Sequence, residues 1–120
     1  MEFKDLAIKG MTFKDVRLEA NKYENEAIEF TAHDGSVYVL THIQDCCESV
    51  SIESIDGDLS DLVGTPLLMA EETYKEGDSD WGSSTWSFYK FATVNGYVTI
   101  RFFGESNGYY GESADLIKVC

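Results

Sequence analysis

Basic residues are scarce in this chain. Nine lysines and arginines stand against 22 aspartates and glutamates in 120 residues, a formal net charge of −13. Binding along a phosphate backbone needs clustered Lys and Arg. No cluster exists here, so direct nucleic-acid binding is disfavoured. Proline occurs once and no tract is biased in composition, which argues against disorder over most of the length. No apolar run approaches the ~20 residues that a membrane-spanning helix needs, so no membrane association is expected. The opening residues, Met1-Glu-Phe-Lys-Asp-Leu6, lack the basic-then-apolar layout of a signal peptide. Cysteine numbers three, with Cys46 and Cys47 adjacent and Cys120 last. That is no disulfide framework. The expectation is a protein with reduced thiols, soluble in the cytoplasm of a bacterial host cell.

What is present is enough apolar material, 43% of residues, for one core in a single domain spanning 1–120. The acids are unevenly spread. Residues 41–80 carry eleven of them against one base, Lys75. An acidic surface of this kind suits a basic partner or plain solubility.

Turn signals and alternation organise the chain. Met11 to Glu19 alternates loosely and reads as a strand. Asn21 to Asn25 reads as a turn. Asp34-Gly35 separates two β-rich runs, Ala27–Ala32 and Val37–Ile43. A two-residue loop there sets Phe30 opposite Val39. It places Ile28, Phe30, Ala32, Val37 and Val39 on the core face, with Tyr38, Leu40 and His42 on the other. Glu48 to Ile55 reads as a strand. Asp58 to Gly64 reads as a short helix, capped by Asp58 and ended by Gly64 before Pro66. Leu67 to Tyr74 suits a strand through Leu68, Ala70 and Tyr74, while Leu-Leu-Met-Ala-Glu-Glu also suits a helix; strand is preferred, and Lys75 to Ser84 reads as a polar loop. Thr85–Val94 and Tyr97–Gly104 flank Asn95-Gly96, the strongest short hairpin signal. This register sets Lys90 directly opposite Arg101, a repulsive pair that needs an acid from the middle segment. Ser106-Asn-Gly108 is a turn, and Ala114 to Val119 a last strand. The predicted fold class is α+β: mainly antiparallel β-sheet built from hairpins, with one short helix around residues 58–64.

These residues carry a resemblance. His42-x-Gln-Asp-Cys-Cys-Glu-Ser-Val50, Gly57-Asp-Leu-x-Asp-Leu-x-Gly64, Pro66-x-Leu-Met-Ala-Glu-Glu72, Trp86-x-Phe-Tyr-Lys-Phe-Ala-Thr93, Gly96-Tyr-Val-Thr-Ile-Arg101 and Gly104-Glu-Ser-Asn-Gly-Tyr-Tyr110 resemble a family of small proteins of unknown function. That family is found largely in phages, prophages and their hosts. The resemblance spans about residues 8 to 119. It implies a phage or prophage origin and brings no activity or catalytic role.

Reactive side chains concentrate between Thr41 and Gly57. A zinc site there would draw on His42, Asp45, Cys46, Cys47 and Glu48. Adjacent cysteines on a strand point to opposite faces, however, and zinc ligands are usually spaced two to four apart. Asp56, Asp58 and Asp61 lack the glycine and closing glutamate of an EF-hand. No metal or other cofactor is therefore expected. A cysteine nucleophile, Cys46 with His42 as base, needs a break in the chain. Four residues along a strand span about 13 Å. A small-ligand site would combine His42, Gln44, Asp45, Cys46, Cys47 and Glu48 with Tyr109 and Tyr110. A protein-recognition surface would use Asp56, Asp58 and Asp61 against a basic host protein, in an anti-defence or nuclease-inhibiting role. The sequence favours this last, non-enzymatic reading. The ligand module and the cysteine enzyme stand as alternatives.

Overall fold

The computed structural model describes residues 3–20, 26–43, 48–79, 82–106 and 114–119. Nine strands are present among them: β1 (Phe3–Asp5), β2 (Phe13–Ala20), β3 (Glu26–Ala32), β4 (Val37–Thr41), β5 (Ser49–Asp56), β6 (Met69–Ser79), β7 (Gly82–Thr93), β8 (Gly96–Ser106) and β9 (Asp115–Lys118). They form two antiparallel sheets, ordered β1-β6-β7-β8-β5 and β2-β3-β4-β9. The sheets share one core. Phe13, Val16, Ile28, Phe30 and Leu40 from the four-stranded sheet meet Tyr89, Phe91, Val98, Ile100 and Phe102 from the five-stranded one. The Phe30 and Phe91 rings join the layers with centroids 5.3 Å apart. On β8 the inward and outward residues alternate from Tyr97 to Ser106, the period-2 pattern that the sequence displays.

The expected α+β class is wrong. Among the described residues there is no α-helix, and the segment around 58–64 makes only a 3-10 turn, Leu59–Leu62. The cap is as expected, with Asp58 accepting from the Ser60 backbone N–H. The helix does not continue because β2 claims its backbone. Val63 turns extended and bridges Phe13, and Pro66 bridges Thr12. The Gly64 N–H donates to the Phe13 carbonyl. Only Leu62 is buried in the turn, too narrow an apolar stripe to hold a helix against the core.

Both hairpin registers differ from expectation. At the first, Ala32 N–H donates to Ser36 O and Gly35 N–H to Ala32 O. The loop is thus three residues, closed by Gly35 at φ +92, a conformation that glycine adopts freely. Phe30 then pairs with Tyr38 and Ile28 with Leu40. One extra loop residue flips the whole of β4. Leu40 is fully buried, Tyr38 packs on Phe13, and His42 turns to the core side. At the second hairpin the pair closing the loop is Thr93 with Gly96, so Val94-Asn95 forms the turn. Arg101 faces Phe88, and Lys90 faces Thr99. The repulsive pair is absent, yet the expected acids do arrive from the middle segment. Glu53 bridges Arg101 at 2.8 Å, and Glu71 stands opposite Lys90 on β6.

The predicted loop over Lys75–Ser84 is largely strand. β6 and β7 stay paired out to Ser79 and Gly82. The expected turns at 21–25 and 106–108 fall largely outside the described residues.

Candidate functional site

Two strand pairs build one end of the sandwich. Thr41, the last residue of β4, pairs with Asp115 of β9. Ser49, the first of β5, pairs with Glu105 of β8. The two most unusual stretches of sequence, 42–48 and 107–114, therefore leave and rejoin the sheets from paired strands at both ends. Each crosses from one sheet to the other.

The first crossing is closed by a buried pair. His42 Nε2 donates to Glu48 Oε2 at 2.9 Å, with the two side chains 5% and 0% exposed. In one continuous strand these residues would stand about 20 Å apart. β4 stops at Thr41 and β5 starts at Ser49, and the two flanking residues meet. The premise that the stretch runs extended is thus corrected. Chemically, an imidazole held by a carboxylate is a base with its orienting group, and equally a structural clasp. Gln44, Asp45, Cys46, Cys47, Tyr109 and Tyr110 lie outside the described residues.

Beside this corner, Tyr89 is fully buried. Its hydroxyl donates to the Ala114 carbonyl at 2.9 Å and accepts from the Ala114 N–H at 3.1 Å. Burial, and then the nearby Glu72 carboxylate, push the phenol well above its ordinary pKa. On the sequence, Tyr89 is one more residue of the alternating Thr85–Val94 run. The missed signal was the hydroxyl, since a buried tyrosine needs a polar partner. A cavity of about 450 Å³ opens nearby at the sandwich edge, between Asp5, Leu6 and Ala7 on one side and Glu72, Ala114, Asp115 and Leu116 on the other.

The acidic candidates gather at the opposite end. Asp56 is exposed at the end of β5. The Asp58 carboxylate accepts from Ser60 N at 3.0 Å and Ser60 Oγ at 2.8 Å. These bonds hold its pKa below the ordinary carboxylate range. Asp61 is half-buried, with its backbone carbonyl accepting from Thr93 Oγ1 and its carboxylate against Gly96. Apolar side chains stand beside them. Leu68 is 60% exposed, Val94 73% and Tyr97 49%. Leu68 is tied to Ala92 through its N–H, and Tyr97 pairs with Ala92. Sequence reading named the aspartates and missed these neighbours, because a register two residues off had hidden the Val94-Asn95 turn.

Among the described residues, no group of three or more His, Cys, Asp or Glu is placed to hold a metal ion, and no helix is long and apolar enough to cross a membrane. Residues 7–116 match the model of DUF7448, described as a domain of unknown function. No curated protein and no solved structure matches the chain.

Proposed function

The chain belongs to the DUF7448 family, whose description assigns no activity, and from its geometry we propose a non-enzymatic recognition module that binds a basic protein surface. In the setting that the sequence suggests, it is a cytoplasmic phage or prophage accessory protein and the partner is a host protein. The supporting observation is the end of the sandwich where Asp61 lies against Gly96, between exposed Val94 and Tyr97, and Gly57, between Asp56 and Asp58, lies against the Tyr97 carbonyl. Exposed apolar side chains beside carboxylates suit a partner of opposite charge. The carboxylates steer association and the apolar residues supply contact.

Asp56 is the cleanest probe. Asp58 also caps the 3-10 turn, and Asp61 borders Gly96, so changing either disturbs the fold as well. Against an identified partner, Asp56→Lys and Tyr97→Asp should each weaken binding at least tenfold, and salt should weaken it steeply. Affinity unchanged in both variants would refute the reading.

A second reading places a small polar ligand at the opposite end, where His42 and Glu48 meet. It is favoured by the paired flanks of 42–48 and 107–114. Resistance of Cys46 and Cys47 to alkylation in the native protein would remove its cysteine-enzyme variant.

A further inference from the structure

We propose that the outward face of the five-stranded sheet binds a neutral β-linked oligosaccharide, using Trp86 and Phe103 as its platform. The alternation that sends Tyr89 and Phe91 into the core sends Trp86 and Phe88 outward. Trp86 pairs with Phe103 across β7 and β8, and their ring centroids are 4.9 Å apart. Both remain half-buried on a face turned away from the other sheet. Trp86 lies over β6 because position 77 is glycine. A Cβ there would come within 3.1 Å of the indole.

Charge narrows the ligand class. A net charge of −13 repels a polyanion, and it equally repels a second copy of this chain. On the outward side of β6, β7 and β8, however, charge nearly cancels. Lys75, Lys90 and Arg101 stand there with Glu71 and Glu105, and Glu53 on β5 bridges Arg101. The face offers donors and acceptors in similar number around a ring pair, which suits a neutral ligand rich in hydroxyls. The apolar C–H face of an all-equatorial pyranose fits a ring, and its hydroxyls project to the rim.

A second observation is independent of charge. Thr73 and Ser84, 6% and 2% exposed, stand on this face opposite Phe88 and Gly77. Among the described residues, their hydroxyls and Arg101 Nε find no hydrogen-bond partner. Buried polar groups without partners are costly. A polyhydroxylated ligand along the ring edges brings oxygens to that level, directly or through one water.

The test is calorimetric titration of the full chain with cellohexaose and with chitohexaose. Saturable binding to at least one of them is expected. Trp86→Ala should weaken it at least tenfold, whereas Arg17→Gln on the other sheet should leave it unchanged. Because Trp86→Ala also removes packing from the sheet, Ser51→Arg provides a second probe: exposed Ser51 pairs with Phe103, and the longer side chain covers the platform. Absence of binding to both sugars at millimolar concentration would overturn the proposal. So would binding that survives both platform variants, or a concentration-dependent dimer that Ser51→Arg dissolves.

Discussion

Asp34 and Asp58 serve the same purpose at two turns. Each carboxylate accepts from a backbone N–H two residues on, Ser36 at 2.9 Å and Ser60 at 3.0 Å. Both pKa values are held low chiefly by those bonds. A folded pKa below the unfolded one stabilises above the ordinary carboxylate range, near pH 4. That stabilisation is lost as pH falls through the lower folded value. Asp34→Asn and Asp58→Asn should therefore flatten the acid limb of the melting temperature plotted against pH. Curves that stay parallel to the parent's would contradict this. Tyr89 has the opposite sign. Its folded pKa is raised, so stability holds below the ordinary phenol range, about pH 10, and falls as pH rises above it. Tyr89→Phe should lessen that alkaline loss. At neutral pH it should cost about 1–3 kcal/mol, because Ala114 loses both bonds to the hydroxyl. Denaturant melts on either side of the phenol range measure both effects. The two carboxylate positions were legible as turn and cap residues. Tyr89's partner was not, since Ala114 is distant in sequence and reaches it only through the pairing of β9 with β4.

At the scale of elements, His42, just after β4, is bonded to Glu48, just before β5. Removing one member of a buried pair takes away the bond that the other makes to it. His42→Ala and Glu48→Ala should each cost about 3 kcal/mol. The double variant should cost clearly less than the sum, read by urea melts in a double-mutant cycle. Strict additivity would show that the two side chains do not support each other. The strands themselves were legible wherever apolar and polar residues alternate, as along β3, β7 and β8. Loop lengths were not. Asp34-Gly35 signals a hairpin without saying whether its loop has two residues or three, and that one residue decides which side of β4 meets the core. The short helix failed for a related reason. Capping chemistry at Asp58 is local and was read correctly, while the competing bridges from Thr12 and Phe13 to Pro66 and Val63 come from a distant strand.

For the molecule as a whole, the dominant number is the charge. At −13, self-repulsion opposes the compact state. Raising ionic strength from about 0.01 M to 0.15 M shortens the Debye length from about 30 Å to 8 Å. The melting temperature should rise, by roughly 4 °C if screening recovers about 1 kcal/mol. A fall with salt would mean that attractive pairs, such as Arg17 with Glu19 and Glu29, outweigh the repulsion. By itself the sequence determined the antiparallel pairing, the position of most strands and the sign of the net charge, though not the division into two sheets, because period-2 alternation and net charge are additive properties of neighbouring residues. Only the tertiary structure decided which face of β4 is buried, that His42 meets Glu48, that Asp61 lies against Gly96 between Val94 and Tyr97, and that Trp86 stacks on Phe103. Each of those depends on register between strands, and register is set by hydrogen-bond pairing across the sheet and by single-residue differences in loops.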